Sequence, residues 1–245
     1  MKKNKQKSTF WLYGHHVVMA ALRNENREKI EIRLTNESGI DKKLLKNLPV
    51  KVVSKQELDS LLPPGAIHQG VALSVKPLEP VYIEDIVRLT QSKERSVLLI
   101  LDQVTDPHNI GAILRSSAAF NADAVILPDA NAPEETGTLA KSACGALESI
   151  PLVRVANLVR AIQELKDAGY WVLGLDGYAT QFITDNKLPN KTVFVLGSEG
   201  EGMRRLTAEK CDYTIKLPIS DKMESLNVSN AAAIALYEFY RSPHP

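Results

Sequence analysis

Three stretches of the chain gather polar and small residues where apolar runs end. The first, LDQVTDPHNIGAILRSSAAF at 101–120, leaves its apolar run at Asp102, breaks at Pro107 and reads as a helix from about Asn109. At ~100° per residue, Arg115 falls near His108 on that helix. Helical side chains lean toward the N-terminus, so Arg115 is expected to reach over the small residues Gly111 and Ala112 toward the mouth where Asn109 sits. The plain alternative is a solvent-facing arginine. The second stretch, TVFVLGSEGEGM at 192–203, runs a buried strand into Gly197, Gly200 and Gly202, with Glu199 and Glu201 between them. Its order G-x-x-G-x-G is not a dinucleotide fingerprint, no lysine follows in the P-loop manner, and two carboxylates disfavour phosphate. Backbone bared by glycines suits a neutral or cationic ligand there, although a tight turn also explains it. The third, IKLPISDKMESLNVSNAAAIALYEF at 215–239, ends a strand at Pro218 and puts Ser225 where the N-cap of a last helix is expected. Leu226 and Asn227 then face the loop, and the small residues at 229 and 231–233 permit close packing.

These stretches need a frame that brings three strand exits together. From Ser96 onward, apolar runs too short for helices (VLLILD, AVILP, LVRV, YWVLGLD, TVFVLG, TIKLPI) alternate with amphipathic stretches. That pattern predicts an α/β fold whose parallel sheet is covered on both faces, with a ligand site at the carboxyl ends of its strands. Ahead of it lies a smaller α/β module. WLYGHHVVMAALRN reads as an amphipathic helix; EIRLT, KVVS and GVALSV read as strands, and LLKNL and KQELDSLL as helical. The expected organisation is a basic tail at 1–8, a module at 9–76, a linker at 77–95 and a main domain at 96–245.

Composition narrows the function classes. With 44% hydrophobic and 24% charged residues among 245, the chain has ordinary globular usage. No apolar run approaches the ~20 residues of a membrane helix, and the basic start MKKNKQK lacks a signal peptide's apolar core, so neither membrane insertion nor export is expected. Two cysteines, Cys144 and Cys211, make neither a disulfide framework nor a complete cysteine zinc site, which suits the cytoplasm. The formal charge of +1 hides a division: residues 1–76 carry 14 Lys and Arg against 7 Asp and Glu, and the remainder carries 16 against 22. A basic front is either a solvated lysine-rich tail or a surface that attracts a polyanion by releasing its counterions.

Taken in order, DPHNIGAILRSSAAF, LGSEGEGM and LPISDKMESLNVSNAAAIALYE resemble the three motifs of the SpoU (TrmH-type) RNA ribose 2′-O-methyltransferases of the SPOUT superfamily. YGHHVVMAAL with HQGVALSV is similar to the RNA-binding module that precedes the catalytic domain in the RlmB-like branch. The resemblance implies a trefoil knot in the C-terminal domain, a module like ribosomal protein L30, a homodimer, and methylation of a guanosine ribose in large-subunit ribosomal RNA. It further implies that Gly197, Gly202, Leu217, Ser225 and Leu226, with Leu175 as a further wall, hold S-adenosylmethionine. Asn109, Arg115, Glu199 and Asn227 would then surround the target ribose. Asp221 and Glu224 depart from the pattern by adding negative charge near the RNA path.

A guanidinium is a poor base, so Arg115 is expected to clamp a phosphate and stabilise a forming alkoxide, leaving the proton to a phosphate oxygen or water. No metal or covalent intermediate is expected. Three rivals remain: a tRNA ribose methyltransferase, a non-catalytic RNA-binding assembly factor, and a nicotinamide-dependent dehydrogenase. The last should carry its glycine fingerprint after the first strand of the large sheet, where this chain reads DQVTDPHN.

Overall fold

A computed structural model describes residues 9–242 except 46, 131 and 186; the expected tail at 1–8 lies outside the described residues. The front of the chain folds as strand β1 (Phe10–Tyr13), helix α1 (His15–Arg23), strands β2 (Lys29–Leu34) and β3 (Val50–Val52), helix α2 (Lys55–Leu61) and strand β4 (Val71–Val75). The strands form one sheet in the order β1-β4-β2-β3, antiparallel except for β2 with β3. WLY is therefore a strand, not the first turn of a helix. Gly14, at φ +86°, turns the chain between β1 and α1, and only a glycine enters that region without strain. Helix α2 is capped as its sequence asks: Ser54 and Glu57 exchange side-chain and backbone bonds in a capping box.

After helix α3 (Ile83–Thr90) the second sheet begins. Its parts are β5 (Ser96–Leu101), α4 (Pro107–Ala119), β6 (Ala124–Pro128), α5 (Gly137–Ala143), β7 (Leu152–Val155), α6 (Leu158–Asp167), β8 (Trp171–Leu175), β9 (Gln181–Phe182), β10 (Lys191–Leu196), α7 (Arg205–Ala208), β11 (Tyr213–Lys216) and α8 (Val228–Arg241). The sheet has seven strands in the order β7-β6-β5-β10-β8-β11-β9, and every pairing is parallel.

The continuous apolar strands are explained by layers on both faces. Leu98 and Ile100 of β5, with Val193 and Val195 of β10, pack under Ile83 and Ile86 of α3 and Ile162 and Leu165 of α6. Val97, Leu99, Leu101, Phe194 and Leu196 face the other way, against α4, α5 and α8. That second core runs without a break into the front sheet, taking in Leu12, Val18, Ile32 and Leu73. Pro107 does not break α4 but occupies its first turn, where its missing N–H costs nothing, behind an Asp106 cap.

Helix α4 lies unusually close to α5. A Cβ built on Gly111 would stand 2.5 Å from Ser142 Cβ, 2.6 Å from the Leu139 carbonyl oxygen and 2.9 Å from the Ala143 nitrogen. Two of those three atoms are backbone, so the helices would have to part. Gly111→Ala is expected to destabilise the fold by about 1–3 kcal/mol, seen as a lower urea midpoint. An unchanged midpoint would show that the contact can relax at no cost.

Candidate active site

Strand order reverses at β5: the chain runs outward from β5 through β6 to β7, then crosses back to lay β8 beyond β5 and β9 at the far edge, and β10 fills the place between β5 and β8. Ligands of open α/β sheets bind outside the carboxyl ends of strands at such a point. The three motif stretches leave the sheet at neighbouring carboxyl ends, since Leu196 is level with Leu101 of β5 and Leu175 of β8, and Leu175 is level with Ile215 of β11.

Three of the four residues expected around the target ribose meet at one carboxylate oxygen. Glu199 Oε1 accepts from Asn227 Nδ2 at 2.6 Å, from the Val228 backbone N–H at 3.3 Å and from Asn109 Nδ2 at 3.4 Å. Asn227 Nδ2 also donates to Asn109 Oδ1 at 3.0 Å, which closes a triangle among segments 118 and 28 residues apart. Asn227 is itself anchored as the N-cap of α8, its Oδ1 accepting from the Ser229 N–H at 2.9 Å. The cap is thus Asn227, not Ser225, and α8 is 14 residues long. Both types cap well, but only Asn227 sits next to the first helical turn with its amide N–H groups free for Glu199. Ser225 is exposed in the loop before it.

Arg115 stands outside this triangle. It is exposed, and it makes no hydrogen bond or ion pair with any described residue. The expected reach over Gly111 is not what the small residue is for: Gly111 turns into α5 and serves helix packing. His108, on the same helix, holds to Ser142 Oγ through Nδ1 at 3.1 Å.

The glycine loop is held from inside. Ser198 and Gly202 exchange backbone hydrogen bonds at 3.1 and 3.0 Å, and a Cβ on Gly197 would lie 2.0 Å from the Gly202 carbonyl carbon and 2.2 Å from the Met203 nitrogen. Gly197 is required by its own loop, which folds back onto it. Gly200 and Gly202 adopt φ of +90° and +68° with open space where a side chain would stand. Leu175 at the end of β8, Leu217 after β11 and Leu226 before α8 are half-buried. Backbone bared by glycines, with no lysine in the loop, fits a cofactor that carries a cationic sulfur, such as S-adenosylmethionine.

One structural participant was not singled out from sequence. Asp102 is completely buried at the end of β5 and accepts from the Arg204 backbone N–H at 2.9 Å, from Nε at 2.7 Å and from Nη2 at 2.7 Å. It ties the far end of the glycine loop to β5. A lone acid closing an apolar run was visible; its partner, 102 residues away, was not. Next to this loop, burial pushes the Cys211 thiol up to about 12, so it stays protonated at neutral pH and plays no part as a nucleophile. Among the described residues no group of three or more His, Cys, Asp or Glu is arranged to hold a metal ion.

The all-parallel sheet and its three-loop site define a methyltransferase of the SpoU class. The chain belongs to the SpoU rRNA methylase family, whose model matches residues 96–237, and residues 11–81 match the model for RNA 2′-O ribose methyltransferase substrate binding. It is 42% identical over 237 residues to the 23S rRNA (guanosine-2′-O-)-methyltransferase RlmB of Photobacterium profundum, covering 94% of this chain and 96% of that one. It is 40% identical over 238 residues to RlmB of Escherichia coli K12, covering 94% and 97%. The SpoU methyltransferase AviRb from Streptomyces viridochromogenes shares the fold at TM-score 0.81 and 24% identity, over 95% of this chain and 89% of that one. An AdoMet-bound rRNA methyltransferase from Sinorhizobium meliloti does so at TM-score 0.80 and 21% identity, over 95% and 87%.

The Glu199 junction yields a direct expectation. Glu199→Gln keeps the shape and one acceptor oxygen but removes the charge, which weakens the three bonds that meet at Oε1. Turnover is expected to fall about 10–100-fold, on the scale of losing one charged hydrogen-bonding centre, with the urea midpoint nearly unchanged because the site is exposed. Wild-type turnover would show that the triangle is incidental.

Proposed function

We propose that this chain transfers a methyl group from S-adenosylmethionine to the ribose 2′-hydroxyl of a guanosine in 23S-type ribosomal RNA, with its front module gripping the RNA. The observation that carries the reading is the junction of Asn109, Glu199 and Asn227, with Arg115 exposed on the same helix as Asn109 and bonded to no described residue. The 40–42% identity to RlmB over nearly the whole chain supports the ribosomal substrate, and the match of residues 11–81 supports the module's role. A tRNA substrate has no comparable support among these relatives, and the dehydrogenase reading has none.

In this reading Gly197, Gly202, Leu217, Ser225 and Leu226, with Leu175, hold the cofactor. Bound there, S-adenosylmethionine supplies an electrophilic methyl carbon on a sulfonium. The chain's own residues then align the nucleophile, which is where most of the rate enhancement of an in-line displacement comes from. Asn109 and Asn227 hold the ribose through amide groups that Glu199 keeps in one orientation. Arg115 forks across the neighbouring phosphate and stabilises charge gathering on the 2′-oxygen, and the proton leaves to a phosphate oxygen or to water. A base at Arg115 is not required.

Five finer features belong to the same proposal. The chain divides into a module at 9–76, a connector at 77–95 and a catalytic domain at 96–245. The C-terminal third is knotted as a trefoil, a reading supported by the sheet order, in which β10 enters between β5 and β8, both of which precede it in the chain. The module is of the ribosomal protein L30 type, and the protein works on ribosomal RNA in the cytoplasm. It works there as a homodimer. Leu236 and Phe239 of α8 are buried in their own chain, but Ile234, Tyr237 and Tyr240 remain 38%, 49% and 53% exposed, with Phe120 against both tyrosines. An aromatic patch of this kind suits a twofold interface.

Ribose-methylation mapping of ribosomal RNA from cells with and without this protein tests the function, with one guanosine expected to lose its 2′-O-methyl group. No difference at any large-subunit guanosine would overturn the substrate. Arg115→Ala is expected to abolish transfer with little change in cofactor affinity, and Arg115→Lys to recover poorly because an ammonium cannot fork across a phosphate. A lysine variant near wild-type turnover removes the bidentate role. Mixing Arg115→Ala with Gly202→Arg subunits, each inactive alone, is expected to restore up to about one quarter of activity if each site takes residues from both protomers. Absent activity in the mixture would place each site within one chain.

A further inference from the structure

Arg27 is among the largest fully buried side chains, 2% exposed, yet it is no part of the site. It lies between α1 and β2, and each carboxylate that holds it comes from the other part of the chain. Its Nε donates to both Glu148 carboxylate oxygens at 3.1 Å, and Nη2 donates to Glu148 Oε1 at 2.8 Å. Nη1 donates to Glu135 Oε2 at 2.9 Å and to the Lys76 carbonyl at 2.9 Å. The guanidinium lies over the Phe10 ring, 5.9 Å from its centroid. Asn24 adds a second bond from the module, Nδ2 to Glu148 Oε2 at 2.7 Å, and Glu135 Oε2 accepts from the Leu78 N–H at 3.4 Å. One cation therefore joins the module, the start of the connector and the segment flanking α5.

Chemistry distinguishes this from ordinary packing. Burial works against the charge of Arg27, but Glu148 and Glu135 outweigh it and hold the guanidinium charged. Apolar residues of similar volume would often bind two surfaces as tightly without that cost, but they are non-directional. A planar fork spread over two carboxylates and a carbonyl fixes angle as well as distance. Elsewhere the surfaces share a continuous apolar core that takes in Leu12, Val18, Ile32 and Leu73, and backbone also comes close: a Cβ on Gly137 would lie 2.4 Å from the Trp11 carbonyl oxygen, and one on Gly145 would lie 3.0 Å from Ala20 Cβ. Apolar packing holds the two surfaces together with little directional preference, and the Arg27 fork supplies the direction.

We infer that Arg27, with Glu148 and Glu135, is a positioning device for methyl transfer: it holds the substrate-binding module at one fixed orientation to the Asn109–Glu199–Asn227 site. RNA gripped by the module then arrives with its target ribose aligned rather than searching on a free tether. The inference rests on the reading that the module binds the RNA. Freeing the module leaves its own RNA surface intact and the cofactor site untouched, but misplaces the bound ribose, and a displacement near 1 Å costs on the order of 100-fold in rate.

The test uses the full chain with Arg27→Met, and with Glu148→Gln as a gentler partner variant that keeps the side chain's shape. The expected result is a single-turnover rate lowered 10–100-fold, with RNA dissociation constant within about threefold of wild type and S-adenosylmethionine affinity unchanged. A purely structural role would lower the reaction amplitude while leaving the rate constant of the folded fraction at its wild-type value, and that result overturns the proposal. Spin labels on exposed Cys144 and on Val52→Cys, at an exposed position of β3, read the orientation independently of activity. A narrow distance distribution in the parent and a broad one in both variants supports the device; distributions of equal width overturn it. If Arg27→Met fails to fold, Glu148→Gln carries the same two readouts. If the parent itself does not methylate the RNA, the functional reading fails first, and the distance distributions still decide whether Arg27 fixes the module.

Discussion

The active-site arrangement depends on one oxygen atom. Glu199 Oε1 takes hydrogen bonds from the segment after β5, from the segment before α8 and from the first backbone N–H of α8 itself. Asn109 follows β5 while Asn227 and Val228 open α8, so the oxygen joins two segments that lie 118 residues apart in the chain. Without an acceptor at that point, Asn109 Nδ2 would lose its partner among the described residues, and Asn227 would be held only by its cap to Ser229 and its bond to Asn109. The carboxylate is in turn held by a loop with little freedom of its own, pinched by the Ser198–Gly202 pair at its neck and tied by Arg204 to the buried Asp102. Rigid support behind an exposed polar centre is what a site needs when alignment, not acid–base strength, limits the reaction.

Charge around that centre is divided by task. Glu199, Glu201, Asp221 and Glu224 give the loops a negative cast compatible with a cationic sulfur and poor for a phosphate chain. Arg115 is the cation on α4 without a carboxylate partner among the described residues, and it is presented to solvent. The front module is less free with its charge than its composition implies. Arg27 is internal, Arg33 and Lys51 pair with Glu31, and Lys76 pairs with Glu28. The local excess of the module is therefore smaller in effect than the count of 14 against 7, and part of that count lies at 2–7, outside the described residues.

Much of this was legible in the chain because its local and global signals agree. Apolar runs such as VLLILD and TVFVLG need cover on both faces and found it, and the helices between them start at recognisable caps: Asp106, Thr136, Asn157 and Asn227. The motif residues Asn109, Glu199 and Asn227 could be named, and they do meet. What escaped was set by partners far along the chain. Asp102 reads as a strand end until Arg204 is beside it, Arg27 as one more surface arginine until Glu148 and Glu135 close over it, and Gly111 as a gap for Arg115 until α5 fills it. The helix expected at WLYG failed for a local reason instead, since Gly14 takes a left-handed conformation that ends β1 and starts α1. Periodicity ranks faces of an element; it does not say which other element will occupy them.

The account places methyl transfer at the carboxyl ends of β5, β10 and β11, around the Glu199 junction. A structure of the protein with S-adenosylhomocysteine and an RNA fragment carrying the target guanosine measures this directly. The account expects the nucleoside against Leu175, Leu217 and Leu226, the target 2′-oxygen between the cofactor sulfur and the amides of Asn109 and Asn227, and a phosphate on Arg115. A cofactor bound away from these strand ends, or a target ribose that touches none of Asn109, Glu199 and Asn227, would contradict it.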